Sequence, residues 1–160
     1  MNSSEMLQLP EISEIPDFGL YMDQVITYME KSYPKKPLTK TMINNYSKDK
    51  ILYPSIKKKY TREHLMLLAL IQILKKTLTL PEIKLLLGPV SKECANGHTE
   101  NLYRLYEDFH GLFETTLSHS EELRNRVSEN LSDSRVKILV YSLISAYFGN
   151  LSEELLAEAD

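Results

Sequence analysis

Several residue types are scarce in this sequence, and each scarcity removes a class of protein. A single cysteine, Cys94, can close no internal disulfide and supply no cysteine-rich metal site. Five glycines and seven prolines in 160 residues exclude collagen-like or low-complexity character. Apolar runs are short: the longest, residues 65–74 and 136–148, fall below the roughly 20 residues that a membrane-spanning helix needs. The first residues are acidic and polar and lack the basic-then-apolar order of a secretory signal, so a soluble, cytoplasmic protein is expected. There is no P-loop, no Gly-x-Gly-x-x-Gly turn and no Gly-x-Ser-x-Gly elbow, and the four histidines form no His-Glu-x-x-His pair.

The remaining polar clusters read as ordinary surface. His110 shares a helix face with Glu107 and Glu114, and adjacent acids such as Glu121-Glu122 and Glu153-Glu154 point to different faces. Cys94 has no activating neighbour in the sequence, and His64 reads as a first-turn surface histidine. No enzyme, cofactor or metal is therefore expected.

What is present is an ordinary globular composition with an unusual order of charge. Hydrophobic residues are 42% and charged residues 26%, which sets disorder aside, and the length suits one domain or two small ones. The net charge of −3 conceals three blocks. Residues 1–30 carry six acids and no Lys or Arg, residues 31–77 carry twelve Lys or Arg against two acids, and residues 78–160 carry seven basic and fourteen acidic residues. A basic middle between acidic flanks is either a solvated lysine face or a footprint for a polyanion.

The hydrophobic spacing predicts a chain that is mostly α. Residues 1–17 read as an acidic tail or arm that could shield the basic block. A helix should begin at Phe18 and end near Tyr33, before Pro34. Lys35, Lys36 and Pro37 form a basic connector. Thr39 caps a short helix to Lys48 with Met42, Ile43 and Tyr46 on one side and Lys40, Thr41, Asn44, Asn45 and Lys48 on the other. Ile51-Leu52-Tyr53-Pro54 and Lys57-Lys58-Lys59-Tyr60 are expected as arms of a small hairpin. Thr61 opens an apolar, buried helix to Lys76, and Thr79-Leu80-Pro81-Glu82 is a capping box for the next. Gly88-Pro89 should stop that helix, leaving residues 90–99 as a linker. A long amphipathic helix follows from Thr99, with residues 120–131 continuing it or forming a separate turn. A last helix from about Ser134 to Phe148 should end at Gly149, before a frayed acidic tail.

A short helix with a polar face, a lysine-bearing hairpin and a buried helix follow one another in the order of a winged helix-turn-helix. Asn pairs with adenine edges, Lys with guanine or phosphates, and cationic wing residues with the backbone. Together these residues resemble the MerR-like winged-helix family. Tyr46 stands at the family's helix tyrosine, Ile51-Leu52-Tyr53-Pro54 at its strand and Lys58-Lys59-Tyr60 at its wing. Thr61-Arg62-Glu63-His64-Leu65 is similar to the cap of its following helix, and Leu78-Thr79-Leu80-Pro81-Glu82-Ile83 to its last motif. Lys50 departs from the usual glycine before the strand, Lys58 from the wing arginine, and the connector over residues 32–38 is long. Tyr21-Met22-Asp23-Gln24-Val25, residues 38–46 and residues 58–64 resemble still more closely an uncharacterised bacterial family, domain of unknown function 1836.

The resemblance, which covers residues 15–90, implies a DNA-binding head over residues 18–89 and two-fold dimers. Residues 100–160 are left for dimerisation or signal input. The expected function is a transcriptional regulator that binds double-stranded DNA through Lys40, Thr41, Asn44, Asn45, Lys48, Lys57, Lys58, Lys59, Tyr60 and Arg62. The alternative is a non-enzymatic protein-interaction module on the same scaffold.

Overall fold

A computed structural model of the chain describes residues 7–35 and 37–159; Lys36 of the expected connector lies outside them. Six α-helices are present among the described residues: α1 (Met22–Ser32), α2 (Lys40–Lys48), α3 (Arg62–Leu74), α4 (Leu80–Ala95), α5 (Glu100–Glu129) and α6 (Ser134–Glu158). The chain is mostly helical, as its spacing implied.

The core is built around α3, in which every residue from His64 to Ile71 and the following Gln72 is buried. A helix apolar on all sides must be covered on all sides. Val25 and Met29 of α1, Ile43 and Tyr46 of α2, Ile83 and Leu87 of α4, and Leu102, Tyr106 and Phe113 of α5 belong to the same buried cluster. Ordinary caps set the ends of these helices. The Thr39 hydroxyl accepts from the Met42 amide at 3.2 Å. The Glu82 carboxylate reaches back to the Thr79 amide at 2.7 Å, completing the capping box expected there.

Five expectations are corrected. The expected N-terminal tail is, from residue 7 onward, a strap on the core. Leu9 and Ile15 are buried, the segment makes a 3-10 turn at Ile12–Glu14, and the Tyr33 and Tyr106 hydroxyls donate to the Gln8 and Pro10 carbonyls. Second, α1 begins at Met22, and residues 18–21 precede it as non-helical chain. Third, α4 runs through Gly88-Pro89 to Ala95, absorbing six of the ten residues of the expected linker. Pro89 costs the amide that would bond the Leu85 carbonyl, but both residues lie on the exposed side, where water replaces the bond. Fourth, α6 passes through Gly149 to Glu158, carried by Leu, Glu and Ala beyond it. Fifth, the hairpin is not formed: there is no strand among the described residues, only two isolated antiparallel bridges, Leu20 with Tyr60 and Ile56 with Lys59.

Candidate nucleic-acid interface

The amphipathicity of α2 divides as its sequence implies. Ile43 and Tyr46 are buried, and Lys40, Thr41, Asn44, Asn45 and Lys48 are all exposed. The helix ends in a Schellman motif, with the Ile51 amide on the Tyr46 carbonyl at 3.0 Å and the Lys50 amide on the Ser47 carbonyl at 3.1 Å. This motif needs a left-handed residue just past the cap, a position usually given to glycine. Here Lys50 fills it at φ 61°. The same motif closes α4 through Gly97 and Cys94, His98 and Glu93, and there the left-handed residue is Gly97 at φ 84°.

Ile51, Leu52 and Tyr53 then turn inward and are buried, which is why they form no exposed hairpin arm. The chain reverses instead over two residues. Ile56 and Lys59 exchange both backbone hydrogen bonds, at 2.8 and 2.9 Å, with Lys57 and Lys58 between them at φ 51° and 65°. Positive φ at both central residues is the type I′ turn, for which Asn-Gly is the usual sequence. Every non-glycine residue at positive φ among the described residues is thus a lysine of the basic segment. Each lysine there costs of order 1 kcal/mol relative to an unstrained backbone.

The turn is held from both sides. On one, Tyr60 and Leu20 exchange backbone bonds at 2.8 and 2.9 Å. The aliphatic stem of Lys59 lies against Gly19, where a Cβ would come within 2.9 Å of the Lys59 Cδ, and its ammonium sits 5.3 Å from the Tyr21 ring centre. On the other side stands His64. Its Nδ1 accepts from the Thr61 amide at 2.9 Å, so its Nε2 carries the proton and faces the Tyr53 and Pro54 carbonyls at 3.2 Å each. The imidazole stacks on Tyr53 at 3.7 Å and meets the edge of Tyr60 at 5.2 Å. Burial pulls its pKa down to about 4, against the smaller upward pull of the two carbonyls and Glu63. His64 is therefore a neutral bracket between the turn and α3, and the surface histidine expected from its first-turn position is corrected.

Of the ten expected contact residues, the structure leaves eight open and occupies two. Lys40, Thr41, Asn44, Asn45, Lys48, Lys57, Lys58 and Lys59 are exposed. Tyr60 is only 6% exposed, with its ring in the core, so it offers no face to a base. The Arg62 guanidinium is committed to the strap, donating through Nε and Nη2 to the Ile15 carbonyl at 3.0 and 2.9 Å. Lys50, exposed and left-handed, stands beside these residues though it was not among those expected; its signal in the sequence was the departure from glycine. Between residues 38 and 60 six lysines, all exposed, stand against one acid, Asp49.

No other chemistry gathers in this segment. Among the described residues no group of three or more His, Cys, Asp or Glu side chains could hold a metal ion. The Cys94 thiol is buried and pushed up to about 11, first by burial and then by Glu63, Glu93 and Glu100, so it stays protonated at neutral pH. No helix among the described residues is long and apolar enough to cross a membrane.

Residues 10–109 match the family model described as "Domain of unknown function (DUF1836)". The chain belongs to that family. The match takes in most of the strap, α1 to α4 and the first part of α5, and hence the whole lysine segment, while α6 lies beyond it. No curated protein and no solved structure matches the chain. The family match bears out the second of the two resemblances read from the sequence, and none of the comparisons supports the MerR-like one.

Proposed function

We propose that this DUF1836 chain is a DNA-binding transcriptional regulator with a MerR-like head, in which the two-residue lysine turn stands in place of a strand-built wing. The observation that carries the reading is the left-handed backbone at Lys50, Lys57 and Lys58. Gly97 shows what the same helix-end motif uses in this chain where no charge is called for. Exposed lysines at three such positions are explained by a need for positive charge there. The polyanion that suits them beside a helix bearing two exposed asparagines is duplex DNA. Asn44 and Asn45 present the amide pair that matches an adenine edge, Lys40 and Lys48 reach guanine or phosphate, and Lys50, Lys57, Lys58 and Lys59 neutralise the backbone.

Fluorescence anisotropy of a labelled mixed-sequence duplex, titrated at about 50 and 200 mM salt, tests this. A head that covers roughly 4–6 phosphates loses affinity on the order of 10²–10³-fold between those conditions. The triple variant Lys57→Glu, Lys58→Glu, Lys59→Glu should abolish binding and keep the far-UV helical signal. Binding unchanged in that variant removes the turn from the interface. No binding by the wild type at low salt leaves the second reading, a protein-interaction module. What favours that reading is the large apolar surface of α6, and a stoichiometric protein partner would then co-purify.

A further inference from the structure

We propose that the cleft between the strap, the end of α1 and the middle of α5 binds an amino acid with a cationic side chain, either free or closing a short peptide. The proposal stands apart from what the lysine face binds.

The cleft has a volume of about 590 Å³, within the roughly 300–1,000 Å³ of small-molecule sites. Its walls are Leu9 and Pro10 of the strap, Tyr28 and Tyr33 at the end of α1, and Phe113 and Leu117 of α5. The fold holds these walls in place. The Tyr33 hydroxyl donates to the Gln8 carbonyl at 3.0 Å and the Tyr106 hydroxyl to the Pro10 carbonyl, while Leu9 and Phe113 are anchored in the core.

Three charges line the same cleft: the carboxylates of Glu14 on the strap and Glu114 on α5, and the ammonium of Lys31 on α1. All three residues are exposed, and among the described residues Lys31 makes no ion pair with either carboxylate. One oxygen of Glu14 accepts from the Glu11 amide at 3.3 Å, which orients the carboxylate and leaves the second oxygen for a ligand.

The signs of these charges select the ligand. A simple anion meets two carboxylates, and a simple diamine meets Lys31. A neutral molecule covers all three charges without pairing any of them. An α-amino acid with a cationic side chain brings two cations and one carboxylate, so each charge of the cleft gains a partner of opposite sign. Its aliphatic stem has the rings of Tyr28, Tyr33 and Phe113 to lie against. A dipeptide ending in such a residue carries the same three charges.

Isothermal titration calorimetry of the full chain with L-lysine, L-arginine and leucyl-lysine should give a Kd below about 1 mM for at least one of them. Tighter binding of leucyl-lysine than of L-lysine names the peptide as the source, and the reverse names the free amino acid. Cadaverine, which lacks the carboxylate, and L-norleucine, which lacks the side-chain cation, should each bind at least about tenfold more weakly. Glu114→Gln and Lys31→Gln change exposed side chains and should leave the urea melt as it is. Glu114→Gln should weaken L-lysine binding by about tenfold or more, and Lys31→Gln should erase the preference for L-lysine over cadaverine. No heat from any of the three ligands at about 10 mM, cadaverine held as tightly as L-lysine, or binding unchanged in Glu114→Gln would each overturn the proposal.

Discussion

The head and the last helix of this chain are both rich in apolar residues, and they use them in opposite ways. In α3 nine consecutive residues, His64 to Gln72, are out of solvent, whereas α6, almost twice as long, has none. Composition alone would place both helices in a core. The difference teaches that apolar composition does not by itself decide burial: α3 is enclosed by the strap, α1, α2, α4 and α5, whereas most of the large apolar side chains of α6 are left in solvent. The boundary of the family match, which ends within α5, falls between the two.

Substitutions in the two helices should separate them most sharply. Leu68→Ala in α3 removes a wholly buried side chain and should cost about 2–5 kcal/mol in a urea melt. Leu139→Ala in α6, whose side chain is 69% exposed, should change the stability of the single copy by no more than about 0.5 kcal/mol. Equal costs, measured at a concentration where the chain is monomeric, would mean that α6 is packed as α3 is.

The head should also respond to pH through a group that α6 lacks. His64 titrates near 6.5 when unfolded and near 4 when folded, so the unfolded chain takes up its proton first. The stability that depends on neutral His64 is fully present above about pH 6.5, is lost as the pH falls towards 4, and changes no further below that. The loss amounts to about 3 kcal/mol over the window. Urea midpoints of wild type and His64→Gln at pH 7.5 and 5 check it: the wild type should fall and the variant stay comparatively level. Parallel slopes would mean that the imidazole is not held as a neutral bracket.

How far the sequence revealed this arrangement depended on the range of the interactions. α2, α3 and the start of α4 were legible because their caps and faces are local: Thr39, Thr61, the Thr79–Glu82 box and the spacing of Ile43 and Tyr46 lie within a turn or two of what they control. The strap was not legible, since its anchors are remote; Arg62 reaches back 47 residues to Ile15. The Gly88-Pro89 stop failed because the turns on both sides of it are packed, with Ile83, Leu87, Ser91 and Cys94 buried, and that tertiary packing carries the helix through a proline that would end an isolated one. The true stop was Gly97, in the segment taken for a linker. At the candidate site the exposed face of α2 was readable from its period, but the turn was not. A type I′ turn announces itself through Asn and Gly, and here lysines occupy both positions. Tyr60 and Arg62 were misjudged for a related reason, because adjacency to basic residues says nothing about which way a side chain faces.

A stability gain of only about 1 kcal/mol bears most directly on the central claim, that these lysines occupy left-handed positions for the sake of their charge. The double variant Lys57→Asn, Lys58→Gly gives the turn its preferred residues while removing two cations. Melting and duplex titration of the same preparation should be compared with wild type. The account predicts that the variant melts higher, by about 1 kcal/mol or roughly 3 °C, and binds DNA at least about tenfold more weakly at low salt. A variant that melts higher and binds DNA as tightly as the wild type would contradict it.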